Sequence, residues 1–133
     1  MATLDWRALT REASGEQAET TFALRDEGIE VRFKKGRAHF VVVEQRDSDT
    51  IRLWARVIGP AMVKSLEEAS LRIWNRNRSR DIVGFKIDRQ GALIGEAYVP
   101  AMGIRPAEWA LYVRTVAEVC DRAEYEFSGK DAC

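Results

Sequence analysis

Residues 29–58 read IEVRFKKGRAHFVVVEQRDSDTIRLWARVI, and this stretch decides the fold. In its first five positions Ile29, Val31 and Phe33 alternate with Glu30 and Arg32, the period of two that a half-buried strand requires. Lys35-Gly36 turns the chain. Ala38 to Gln45 follows as a second strand in which Phe40 and Val42 point one way and Val41 and Val43 the other. Arg46-Asp-Ser-Asp49 is rich in side chains that bond their own backbone, so it predicts a second turn before a third strand over Thr50 to Ile58. Three strands joined by short polar turns form an antiparallel meander.

Working outward, Gly59-Pro60 stops the third strand, and Pro60 suits the first position of a helix, where a missing N–H costs nothing. Met62, Leu66, Ala69 and Ile73 fall on one stripe of a helix predicted to run to about Asn75. Ile82 to Ile87 reads as a fourth strand, Asp88-Arg-Gln-Gly91 as a turn, and Ala92 to Val99 as a fifth strand. Pro106 then opens a closing helix whose apolar residues Trp109, Val113, Val116, Cys120, Ala123 and Phe127 lie within roughly 40° of one line. Gly129 is placed to cap it. On the other side of the meander, residues 10–21 hold no large apolar side chain. Trp6, Leu9, Ala13 and Phe22 offer only a weak first helix, interrupted by Gly15, so residues 1–25 form a weakly defined N-terminal segment. The expected architecture is one α+β domain over 1–133, an antiparallel five-stranded sheet with helices in the order (α)-β-β-β-α-β-β-α.

The 133 residues carry 21 Lys and Arg against 21 Asp and Glu, a balance that lacks the basic excess of a general nucleic-acid binder. Arg76, Arg78 and Arg80, and the turn of Lys34, Lys35 and Arg37, read as solvated loops, because no stacking aromatics or recognition-helix motif accompany them. Met1 to Arg7 has charges where a secretory signal needs apolar residues, and no stretch approaches the ~18 apolar residues that span a bilayer. A cytoplasmic protein without membrane or nucleic-acid partners is expected. Cys120 reads as a small core residue and Cys133 as a terminal thiol. His39 is the sole His, and without closely spaced Cys the sequence presents no metal set and no cofactor motif. Pairs such as Glu67-Glu68 and Glu124 with Glu126 read as helix-surface charges. No catalytic residue is assigned, and a non-enzymatic protein is expected.

The candidate interface lies on the second face of the sheet. Trp54 points away from Ile51, Leu53, Ala55 and Val57, between Arg52 and Arg56; Val41 and Val43 are expected beside it, and Ile94 and Tyr98 turn away from Leu93 and Val99. A sheet apolar on both sides must be covered twice. The more common arrangement gives the second face to a helix of the same chain; the alternative gives part of it to a second subunit or a client. Trp flanked by Arg is the composition of an interface anchor. On the second helix Val63 and Trp74 lie roughly 100–120° from the main stripe, and that extra apolar width fits a two-fold interface.

Three segments resemble a known family. Leu71-Arg-Ile-Trp-Asn75-Arg76 is similar to an Asn-x-Trp-Asn helix end, with Leu71 at the first position. Gly84-Phe-Lys-Ile-Asp88-Arg-Gln-Gly91 resembles an Asp-x-x-Gly hairpin. Val116-Ala-Glu-Val-Cys120-Asp121-Arg-Ala-Glu124 with Ser128-Gly-Lys-Asp131 resembles a Val-Ala-x-x-Ala-Asp-x-x-Glu helix followed by Gly-x-Asp. Together, over residues 29–131, they resemble the YbjN-like proteins, bacterial sensory transduction regulators, which share their element order with type III secretion chaperones. The resemblance implies a chaperone-like or regulatory domain without catalytic residues, working as a homodimer or through a protein client or signalling partner. Its rivals are a regulator without chaperone activity and an enzyme whose cleft assembles from scattered carboxylates.

Overall fold

The computed structural model describes residues 4–14, 20–77 and 82–128. The meander is present as β2 (Gly28–Phe33), β3 (Ala38–Gln45) and β4 (Thr50–Ile58). Two features of the chain set its geometry. Gly28 lies so close to β3 that a Cβ there would sit 2.0 Å from the Val41 carbonyl oxygen, so only glycine fits. A register shift between Arg56 and Ile58 lets the successive Val57 and Ile58 both turn inward and be buried.

Among the described residues the sheet has six strands rather than the five expected, in the order β1-β2-β3-β4-β6-β5, all antiparallel. The additional one is β1 (Thr20–Leu24), paired along its length with β2. Phe22 and Leu24 share one side of it; Phe22 therefore belongs to a strand and not to the first helix. β5 is Gly84–Ile87, shorter at its start than predicted, and β6 is Leu93–Pro100.

The weak N-terminal helix forms as α1 (Trp6–Ser14). Asp5 caps it, its Oδ1 accepting the Ala8 N–H at 3.1 Å. Thr10 and Ala13 are buried, and Trp6 and Leu9 pack partly buried against the core. Thr10 Oγ1 donates to the Trp6 carbonyl at 2.7 Å and accepts the indole N–H of Trp109 at 2.9 Å, which ties α1 to the closing helix α4 (Pro106–Ser128). On α4 the whole predicted stripe from Trp109 to Phe127 is buried and lies across β2, β3, β4 and β6. Gly95 permits that closeness, for a Cβ there would stand 2.5 Å from Cys120 Sγ. Burial pushes the Cys120 thiol up to about 12, outweighing the Gly95 backbone contact; Cys120 is the small core residue the pattern calls for. Gly129, the expected cap, lies outside the described residues.

The single helix predicted over 60–75 is two: α2 (Pro60–Ser65) and α3 (Ala69–Asn77). Leu66 turns extended, Ser65 Oγ bonds back to the Met62 carbonyl at 2.8 Å, and Glu68 takes a left-handed φ of 52°. The break turns Leu66 onto the core while Met62 and Ile73 still pack there, so the apolar stripe is real although the helix is not continuous. α3 flanks the outer edge of β5. There the Asn77 amide accepts the Phe85 N–H at 2.8 Å and donates to the Phe85 carbonyl at 2.9 Å, blunting the edge strand as a neighbouring strand would.

Candidate protein-binding face

The α4 side of the sheet is closed; among the described residues no helix covers the other side. The expectation that a helix of the same chain covers it is thus corrected. Tyr98 is 51% exposed, Phe40 38%, Arg56 is exposed and Trp54 half-buried. Register explains which residues gather there. Val42 stands opposite Trp54, so Phe40 and Val42 share its face, while Val41 and Val43, expected beside it, are buried in the core instead. Arg52 lies opposite Tyr98 and Arg56 opposite Ile94. Four of the six predicted interface residues, Arg52, Trp54, Arg56 and Tyr98, therefore occupy one surface. The other two do not join them. Val63 is half-buried on α2 against the core, and Trp74 is 58% exposed on α3 beside Leu71 at 50%.

A polar chain crosses this face from β3 to β5. The Trp54 indole N–H donates to Glu44 Oε2 at 2.7 Å, Arg52 Nη1 donates to Glu44 Oε1 at 3.3 Å, and Arg52 Nε donates to Glu96 Oε2 at 2.6 Å. Lys86 Nζ then meets Glu96 Oε1 at 3.2 Å, and the Arg52 guanidinium sits 5.5 Å from the Trp54 ring centroid. Burial works to raise the Glu96 carboxyl, but hydrogen bonds from Arg52 and Lys86 outweigh it and hold it below the usual range. By the same pairing Arg52 is held above its ordinary value although burial opposes it. Sequence reading named Arg52 but missed Glu44 and Glu96; the signal was there, since each stands directly opposite Arg52 or Trp54 once the register is known.

Two cavities flank Trp54. One, of about 450 Å³, is lined by Arg46, Arg52, Lys86, Arg89, Ile94 and Tyr98 among others. The second, of about 350 Å³, is lined by Phe40, Val42, Arg56, His39 and Glu124. Neither is lined by Val63 or Trp74.

The basic residues are partly committed elsewhere. Arg37 pairs with Asp121 at 2.8 Å, and Arg76 lies 3.5 Å from Glu126 with its guanidinium over the Phe85 ring. Arg78 and Arg80 lie outside the described residues. Among the described residues, no helix is long and apolar enough to cross a membrane.

A six-stranded antiparallel sheet closed by helices on one side and, among the described residues, left open around an aromatic centre on the other defines the class: an α+β domain with the secretion-chaperone-like fold. The chain belongs to the YbjN family, described as "Putative bacterial sensory transduction regulator", which matches residues 8–128 and so takes in α1 and β1 as well. Among solved structures, the chain is similar to one in the crystal structure of the ExsC–ExsE complex, with 19% identity, TM-score 0.56, and 95% of this chain and 93% of that one covered. It is also similar to an uncharacterized protein from Methanothermobacter thermautotrophicus, at 11% identity and TM-score 0.52, over 93% of this chain and 94% of that one. No curated protein matches the sequence.

Proposed function

We propose that the chain is a non-enzymatic, cytoplasmic protein-binding domain that takes an extended apolar segment of a partner on the face around Trp54 and self-associates through the exposed side of α3. The observation that carries this reading is the chemistry of the open face. Trp54, Phe40, Val42 and Tyr98 offer apolar area, while Arg52, Glu44, Glu96 and Lys86 already satisfy one another. A partner seated on the rings therefore removes water from them without stranding any of these four charges, which favours a binding hot spot. The ExsC–ExsE structure shows this fold in a protein complex, and it supports the same use here. The family description favours a regulator over a dedicated secretion chaperone, in keeping with the cancelled charge.

Trp74 and Leu71, three residues apart on α3, supply the self-association surface. The test separates the two surfaces. In sedimentation at micromolar concentration, Trp74→Ala shifts a dimer toward monomer. Trp54→Ala keeps the dimer mass but loses the partner captured by the native chain from its own cell. A native chain that sediments as a monomer removes the homodimer, and capture of no reproducible partner removes the binding reading.

A further inference from the structure

We infer that His39, Asp121 and Glu124 form a binding site for a divalent transition-metal ion of the zinc class, between β3 and α4. Asp121 and Glu124 are three residues apart on α4 and so share a side of it. His39 comes from the start of β3, ahead of the ladder to β4, whose pairs begin at Val42 opposite Trp54. There its imidazole reaches over to β4, with Nε2 2.8 Å from the Arg56 carbonyl oxygen.

That contact fixes the chemistry of the other nitrogen. A carbonyl only accepts, so Nε2 carries the proton, and the lone pair of the neutral ring sits on Nδ1. Nδ1 faces Asp121 Oδ1 at 3.7 Å, beyond hydrogen-bond length, and ligand atoms of all three residues lie within 4.8 Å of one another. Two carboxylates and an imidazole nitrogen around one point offer a cation three donor atoms of the right kind, beyond the partial neutralisation that Arg37 gives Asp121. Ions of the zinc class bind N and O ligands at about 2.0–2.2 Å, which a modest rotation of the carboxylates allows, and the imidazole disfavours calcium and magnesium.

The surroundings have the form of an outer shell. The Arg56 carbonyl orients the imidazole, and Arg37 Nη2 holds Asp121 Oδ1 at 2.8 Å. Arg37 also offsets one of the two carboxylate charges, which keeps the site moderate in affinity. Access exists from both sides: the 350 Å³ cavity beside Trp54 is lined by His39 and Glu124, and one of about 400 Å³ is lined by Arg37 and Asp121. Three protein ligands leave a coordination position open toward these cavities.

Calorimetric titration of the chelator-stripped native chain with Zn²⁺ tests the site. The expected result is one saturable site per chain, weakened at least tenfold in both His39→Gln and Glu124→Gln and retained in Cys133→Ser. With Co²⁺ the native chain is expected to show visible d–d bands without a thiolate charge-transfer band, a readout that needs no variant to fold. No saturation up to millimolar Zn²⁺, binding unchanged in His39→Gln, or a thiolate band with Co²⁺ overturns the assignment.

Discussion

Along β4, Ile51, Leu53, Ala55 and Val57 face α4 and are buried, while Arg52, Trp54 and Arg56, alternating with them, face the side that no described helix covers. One strand thus serves two surfaces held in different ways. The α4 side is held by close packing of apolar groups, with contacts tight enough that Gly95 is needed beneath Cys120. The Trp54 side is held by directional bonds among Trp54, Glu44, Arg52, Glu96 and Lys86, most of them charge-assisted, with apolar area left over. Packing cannot be undone without unfolding, whereas a surface of satisfied charges and exposed rings is complete in itself and still available to a partner. Stability belongs to the first surface; the second is the one to which the proposed function assigns recognition.

The largest expected effect breaks the packed side. Trp109→Ala removes the largest fully buried side chain and the indole N–H that donates to Thr10 Oγ1, so it should cost about 3–5 kcal/mol. Urea unfolding measures it, and the same experiment on Trp54→Ala should give a loss well under half as large, because Trp54 is only half-buried. Equal losses in the two variants would erase the distinction between the faces.

How much of this contrast was legible in the sequence follows from length and continuity. α4 was readable because its stripe from Trp109 to Phe127 runs unbroken over about five turns and is buried throughout. β1 was not, because Thr20–Leu24 is short and its two large apolar residues, Phe22 and Leu24, fit the end of a weak helix as well as a strand. The break between α2 and α3 leaves no trace in the pattern, since Met62, Leu66 and Ile73 pack on the same core with or without it. On the open face, alternation alone placed Trp54 with Arg52, Arg56 and Tyr98, but only the register puts Val42, and not Val41 or Val43, opposite the ring. The grouping of His39 with Asp121 and Glu124 was invisible for a different reason: it joins the start of β3 to a late turn of α4, far apart in the chain.

A second prediction sharpens the account of the polar side. Glu96 sits 2.6 Å from Arg52 and 3.2 Å from Lys86, and these bonds hold its carboxyl below the ordinary range. Such a group stabilises the fold above its unfolded value of about 4.3, and that contribution is lost as pH falls through the lower folded value. Glu96→Gln is expected to cost about 1 kcal/mol at neutral pH, the scale of a charge-assisted bond with partial solvent access. The gap between native and variant should narrow below about pH 4.3 in pH-dependent urea unfolding. A gap that stays constant down to pH 2 would mean that the ion pairs contribute nothing to the open face.

The smallest effect probes whether packing on the α4 side dictates local backbone strain. Glu68 holds a left-handed φ of 52° because the chain must reverse after Leu66 has turned onto the core, and its carbonyl then accepts the Arg72 N–H at 3.0 Å to start α3. A non-glycine residue in that region costs about 1–2 kcal/mol, and glycine gives back roughly half of the gain through its greater freedom when unfolded. Glu68→Gly should therefore raise stability by about 0.5 kcal/mol in urea unfolding, since the turn is imposed by Leu66 and not by the Glu68 side chain. A loss of stability would reverse that order of cause and place the origin of the break in Glu68 itself.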